Sequence, residues 1–113
     1  MSSFIVNIKE NNGIVIIETN GYLNNDAGEQ LSKICFEKIS SGNKTFLLNM
    51  GSTKVVNSIG VSILIEIIEK LQEVEGKIGY YNLAPIVSKT FNIMGLTKYS
   101  TVFESEEEAL SNI

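Results

Sequence analysis

The sequence predicts an α/β protein: a single mixed sheet of four to five strands with about four helices packed against it. Three observations point there. Apolar runs of strand length alternate with segments whose apolar residues recur every three or four positions. An Asn-Gly turn joins the first two runs. Turn-forming residues separate the later segments, and proline occurs once in 113 residues. Strands that alternate with amphipathic helices bury both apolar sets by packing the helices on one sheet.

Phe4 to Ile8 alternates apolar and polar residues, as a half-buried strand does. Asn11-Asn12-Gly13 is a turn, and Ile14 to Thr19 is β-branched, so a hairpin opens the chain. Gly21-Tyr22-Leu23 leads to Asn24-Asn25-Asp26, where Asp26 reads as an N-cap with Glu29 completing a capping box. Ala27, Leu31, Ile34 and Cys35 then share one helical face, which makes Cys35 a core residue and leaves Phe36 pointing away as a contact candidate. Ser40 to Asn43 ends this helix. Thr45 to Met50 is an apolar run of central-strand type, and Gly51 to Asn57 reads as a loop.

A second helix is expected from about Ile59 to Glu75. Gly60, Leu64, Ile67, Ile68 and Leu71 form its buried face; Ser62, Glu66, Glu69, Lys70 and Glu73 form its polar stripe, with Glu66 and Lys70 spaced for an ion pair. Gly76 reads as the residue after its C-cap. Lys77 to Asn82 is a strand, and Pro85 opens a third helix with Val87, Phe91 and Met94 on one face and Gly95 as its stop. Thr101 to Phe103 is a short edge strand. Ser105 and Glu108 cap a last helix, Glu106 to Asn112.

Composition narrows the function. The length suits one domain over residues 1–113, and 43% hydrophobic residues suffice for a core without metal or disulfide. The net charge is −4 with no cluster of basic residues, which disfavours nucleic acid and anionic membranes. Cys35 is the one cysteine, so no internal disulfide forms and a reducing compartment is expected. Met1-Ser2-Ser3-Phe4 lacks the basic start of a signal peptide. The tract Ile59 to Ile68 is interrupted by Ser62 and Glu66, so direct membrane insertion is not expected and a cytoplasmic location is. There is no histidine, hence no Ser-His triad and no histidine metal site. No catalytic residue, metal ligand or cofactor site is read from the chain. A receiver domain is excluded, because the central strand ends in Asn49-Met50-Gly51 and offers no aspartate to phosphorylate.

The informative stretch is Phe46 to Met50 followed by Asn57-Ser58-Ile59-Gly60-Val61. A buried strand leads to a serine at a helix start, where free backbone N–H groups and the positive helix end favour an anion. A phosphate on Ser58 would add about −2 charge to its surface. Ser58 also has an ordinary structural reading as the helix cap, with Asn57 as the alternative cap. Gly60, within the first turn, admits another backbone at close range.

This stretch resembles the D-S-[ST]-G-[LIV] signature of the STAS family, which follows a strand ending L-[DN]-[LM]; Leu48-Asn49-Met50 occupies that place. Gly21-Tyr22-Leu23, Leu83-Ala84-Pro85-Ile86-Val87, Phe91 to Leu96 and Thr101-Val102-Phe103 are similar to further family landmarks in the same order. The resemblance implies the STAS fold and an anti-sigma factor antagonist. In that type the first serine of the motif, here Ser58, is phosphorylated by a serine kinase that is also the anti-sigma factor. A phosphatase restores the binding form. It further implies a partner-binding surface of Asn24, Asn57, Ser58, Ile59 and Ser62. Three positions depart from the family pattern: Asn57 and Asn24 stand where an acidic residue is usual, so each removes a negative charge, and Ile59 replaces the second serine or threonine of the motif. Two other STAS roles remain as alternatives, an accessory subunit of a membrane ABC transporter and a scaffold that is never phosphorylated. The oligomeric state is left open.

Overall fold

Five strands form one mixed sheet in the order of their appearance in the chain: β1 (Ile5–Asn11), β2 (Ile14–Leu23), β3 (Thr45–Val56), β4 (Lys77–Tyr81) and β5 (Thr101–Phe103). The structure, a computed structural model, describes residues 3–113; Met1 and Ser2, part of the N-terminus read above, lie outside it. β1 runs antiparallel to β2, and β2 through β5 run parallel. The helices are α1 (Asn25–Ser40), α2 (Ser58–Glu73), α3 (Pro85–Ile93) and α4 (Glu106–Asn112), with a 3-10 turn at Leu96–Lys98. This is the expected mixed sheet with four helices.

The hairpin follows from Asn12 and Gly13, which both take positive φ, 53° and 83°, as a tight two-residue turn requires. The main core lies on one face of the sheet. Val15, Ile17, Phe46, Leu48, Ile78 and Tyr80 meet helical residues including Leu31, Cys35, Leu64, Ile67, Val87 and Phe91. Tyr80 packs edge-on against Phe91 with ring centroids 5.1 Å apart, and its hydroxyl shares a 3.0 Å hydrogen bond with Ser100. On the other face α4 brings Ala109 onto Ile16, Leu47, Tyr81 and Phe103.

Several boundaries differ from the sequence reading. Gly51 to Val56 is strand and not loop: β2 continues to Leu23, and Asn20, Tyr22 and Leu23 pair with Ser52, Val55 and Val56 across two register irregularities. Bulges break the alternation that sequence inspection looks for. The N-cap of α1 is Asn24 and not Asp26; its side-chain oxygen accepts from the Ala27 N–H at 3.0 Å, so the helix starts two residues earlier than the Asp26–Glu29 box would allow. α2 ends at Glu73, and the left-handed residue after it is Glu75, φ 59°, with Gly76 one position later. Gly76 is small for a different reason, since a Cβ there would stand 2.6 Å from the Lys44 carbonyl oxygen. Lys70 pairs with Glu73 at 3.7 Å and not with Glu66. The Ser105 cap on Glu108 forms as expected, at 3.1 Å.

Candidate functional site

The parallel order of β2 and β3 brings two helix starts together. Each strand delivers its chain, at the C-terminal end of the sheet, into a helix on the same face. In open α/β sheets that edge is where ligands and partners are met, because backbone N–H groups of several helices converge there. The Asn57 N–H donates to the Leu23 carbonyl at 3.0 Å and fastens the start of α2 to the end of β2. Gly60 completes the join. It is buried, and a Cβ on it would collide with the Leu23 carbonyl oxygen and stand 2.7 Å from the Leu23 carbonyl carbon and 3.0 Å from the Asn24 oxygen. The expected close backbone approach is therefore present, made by the β2–α1 turn.

Asn57 is the cap of α2. Its side-chain oxygen accepts from the Gly60 N–H at 2.8 Å, and Ser58 is the first residue of the helix. Of the two caps left open by the sequence, asparagine prevails. Its carboxamide oxygen reaches the third N–H of the helix, as an N-cap side chain should. The Ser58 side chain is exposed, and among the described residues no hydrogen bond engages its hydroxyl; its backbone carbonyl accepts from the Ser62 hydroxyl at 2.7 Å. Ser62 thus lies one turn along the same exposed edge of α2. Ile59 is exposed beside Ser58 and does not tuck under the preceding strand.

Asn24 sits in the adjoining turn with the matching role at α1, half-buried and held by its own cap bond. The structure brings Asn24, Asn57, Ser58, Ile59 and Ser62 to one end of the molecule. Two neighbours escaped the sequence reading. Tyr22 and Val55, exposed and directly opposite one another on β2 and β3, extend this end with apolar surface. The signal for them was present in Gly21-Tyr22-Leu23, but it becomes visible only once Gly51 to Val56 is known to be strand.

Other chemistry is sparse. Among the described residues no group of three or more Cys, Asp or Glu side chains is placed to hold a metal ion. Cys35 is buried, and that burial pushes its thiol up to about 12, which leaves it protonated and inert. Burial also pushes the Tyr81 phenol up to about 12, with Glu106 and Glu18 adding negative charge nearby. Phe36, exposed on α1, lies on a different helix from the Ser58 cluster.

The comparisons agree with this geometry. A family model described as STAS domain matches residues 6–109. BtrV of Bordetella bronchiseptica, whose own anti-sigma factor antagonist role is inferred, is 26% identical over 97 residues, covering 86% of this chain and 84% of that protein. A crystal structure from Thermotoga maritima superposes with a TM-score of 0.87 at 16% identity, over 95% of this chain and 92% of that one. The Bacillus cell fate determinant SpoIIAA in its phosphorylated form gives 0.73 at 25% identity, over 93% and 96%. None of the helices over the described residues is long and apolar enough to cross a membrane. The chain belongs to the STAS domain family and resembles its anti-sigma factor antagonists.

Proposed function

We propose that the protein is a phosphorylation-gated binding switch whose partner is an anti-sigma factor with serine kinase activity, and that Ser58 is the phosphoacceptor. Binding, and not catalysis, is its activity, exercised in the cytoplasm by one domain over residues 1–113. The observation that carries the reading is the division of labour at the start of α2: Asn57 caps the helix, which leaves the exposed Ser58 hydroxyl to a kinase.

Around Ser58 the surface is rich in apolar and uncharged side chains, with the exposed Asp26 and Lys54, of opposite charge, at its border. Tyr22, Val55 and Ile59 are exposed, and both asparagines carry no charge. Such a surface binds by excluding water. A dianion set in it must be desolvated when the partner docks, at a cost of several kcal/mol unless it is paired. Each 1.4 kcal/mol is tenfold in affinity, so loss of binding by about a hundredfold is expected on phosphorylation. A phosphatase returns the protein to the binding form. The fold itself accepts the phosphate, because the first turn of a helix favours negative charge by about 0.3–1 kcal/mol.

The test uses three proteins: wild type, Ser58→Ala and Ser58→Asp. Thermal melts establish that all are folded. Affinity for the anti-sigma factor encoded nearest the gene is then measured by calorimetry. Wild type and Ser58→Ala should bind and Ser58→Asp should not. Equal binding by all three refutes the switch and leaves the unphosphorylated scaffold, the reading that Asn24 and Asn57 favour. Incubation with the kinase and mass spectrometry of the tryptic peptide locates the phosphate; a phosphate elsewhere refutes Ser58 as acceptor.

A further inference from the structure

We propose that the groove between α2 and the segment from α3 to the 3-10 turn is the interface of a symmetric homodimer, its occupant a second copy of this chain. Ile93, Tyr99 and Ile86, at 74%, 65% and 61% exposure, are the most exposed large apolar side chains of the described residues. All three fall within residues 76–103, a stretch that holds Lys77, Lys89 and Lys98 and no carboxylate. The chain's net charge of −4 therefore leaves −7 outside this stretch. The three most water-exposed large apolar side chains thus lie in a basic, acid-free segment; residues 38–65 form a second one of the same length, whose exposed Val55 and Ile59 belong to the Ser58 end.

The groove itself measures about 410 Å³. Ile65 and Ile68 of α2 with Met94 and Leu96 give it an apolar floor. Its two walls differ in sign. Glu69 is the carboxylate of the α2 wall, whereas Glu66 lines the groove on the α1 side of that helix and Glu73 is paired with Lys70. Lys98 and Tyr99 stand on the opposite wall, and Lys89 lies between Ile86 and Ile93 on the exposed side of α3, whose Val87 and Phe91 turn inward.

A groove with one acidic and one basic wall is complementary to itself. A two-fold axis parallel to the groove lays each acidic wall on the other copy's basic wall and drives Ile93 and Tyr99 of each copy toward the apolar floor of the other. A nucleic acid or an anionic membrane would meet the Glu69 carboxylate of α2, and a basic protein would meet the lysines. The surface that matches both walls and the apolar centre is the same surface turned through a half rotation. None of this rests on Ser58 or its phosphorylation.

Sedimentation velocity of the full chain from about 10 to 500 μM should show a monomer–dimer equilibrium, and Ile93→Glu should weaken it at least tenfold. Lys98→Glu and Glu69→Lys are exposed changes that keep the test open if Ile93→Glu fails to fold. Each alone should abolish dimerisation, by setting like charges face to face at both symmetry-related contacts. Mixed in equal amounts the two variants should reassociate, because both contacts in the mixed dimer regain opposite charges. A monomer at every concentration overturns the proposal. So does a dimer that all three substitutions leave intact, or a mixture of the charge reversals that stays monomeric. Pelleting of monomeric protein with phosphatidylserine vesicles, lost in Lys98→Glu, would overturn it in favour of a membrane surface.

Discussion

Gly60 is the position where one methyl group tests both the fold and the site. In Gly60→Ala the new Cβ would overlap the Leu23 carbonyl oxygen and lie 2.7 Å from its carbon and 3.0 Å from the Asn24 oxygen. All three neighbours are backbone, so no side chain can rotate away. Either β2 and the α1 turn retreat from α2, or α2 slides outward at its first turn. Overpacking of this kind costs about 1–3 kcal/mol. Against it stands a gain of at most about 1 kcal/mol from replacing a helical glycine by alanine. With rigid neighbours the steric cost falls in the upper half of its range, for a net loss of about 1–2 kcal/mol. In a domain of this size 1 kcal/mol moves the melting temperature by about 4 °C or more. A fall of roughly 4–8 °C in a calorimetric melt is expected. The retreat also strains the 3.0 Å bond from the Asn57 N–H to the Leu23 carbonyl, so the cap carrying Ser58 shifts with it. Partner affinity at a temperature where the variant is fully folded should therefore fall as well. An alanine variant with an unchanged melting temperature refutes the close approach, and one that melts early yet binds at full strength refutes the link between the join and the Ser58 surface.

Three further outcomes are expected. Asn57→Ala removes the cap on the Gly60 N–H and should cost about 1 kcal/mol in denaturant unfolding, whereas Asn57→Asp keeps the cap and should be at least as stable as wild type. Thiol titration at pH 8 should find Cys35 unreactive in the native protein and fully reactive in guanidinium, since burial holds its thiol up to about 12. Tyr81 ionises near 10 in the unfolded chain and is pushed up to about 12 in the fold; its neutral form is favoured by folding, so its share of stability is intact below pH 10 and lost as pH rises from about 10 to 12. Melts of wild type and Tyr81→Phe over that window should show the smaller alkaline loss in the phenylalanine variant.

What could be read from the sequence was whatever a periodicity or a cap expresses locally. The apolar faces of α1 and α2, the turn at Asn12-Gly13 and the cap at Ser105 each depend on residues a few positions apart, and all are present in the fold. The far half of β3 was not legible. Gly51 to Val56 is strand only because β2 lies beside it through Leu23, and pairing between residues more than thirty positions apart leaves no mark in either segment alone. The α1 cap was misplaced for a related reason. Asn24, Asn25 and Asp26 are all competent caps, and the choice of Asn24 is made by the join to α2, which fixes where the β2 chain turns. Tyr22 and Val55 were missed with the strand that pairs them. Conversely, Gly60 was placed correctly because a glycine on the buried stripe of a strong helix has few uses other than close approach.

The identity of the cap bears on how such a switch can work at all. A serine that caps its own helix spends its oxygen on a backbone N–H, and phosphorylation then exchanges one stabilising interaction for another at the cost of rearranging the turn. Here the Asn57 oxygen holds the Gly60 N–H at 2.8 Å, and the same residue's N–H is tied to Leu23. The helix start is thus fixed by a residue that no kinase modifies. Ser58 occupies the next position with its side chain outward, so the charge of its surface can change while the backbone beneath stays put. Neutral asparagine is compatible with that arrangement in a second way. An aspartate at 57 would already place a negative charge at the helix start, and a phosphate added one residue later would be repelled by it. With asparagine the phosphate would be the first negative charge there, and the contrast between the two states of the surface would be larger. Measured at low salt, the ratio of partner affinities for Ser58→Ala and Ser58→Asp should accordingly be greater in the natural Asn57 background than in Asn57→Asp. An equal or smaller ratio would mean that the charge at position 57 does not set the size of the switch.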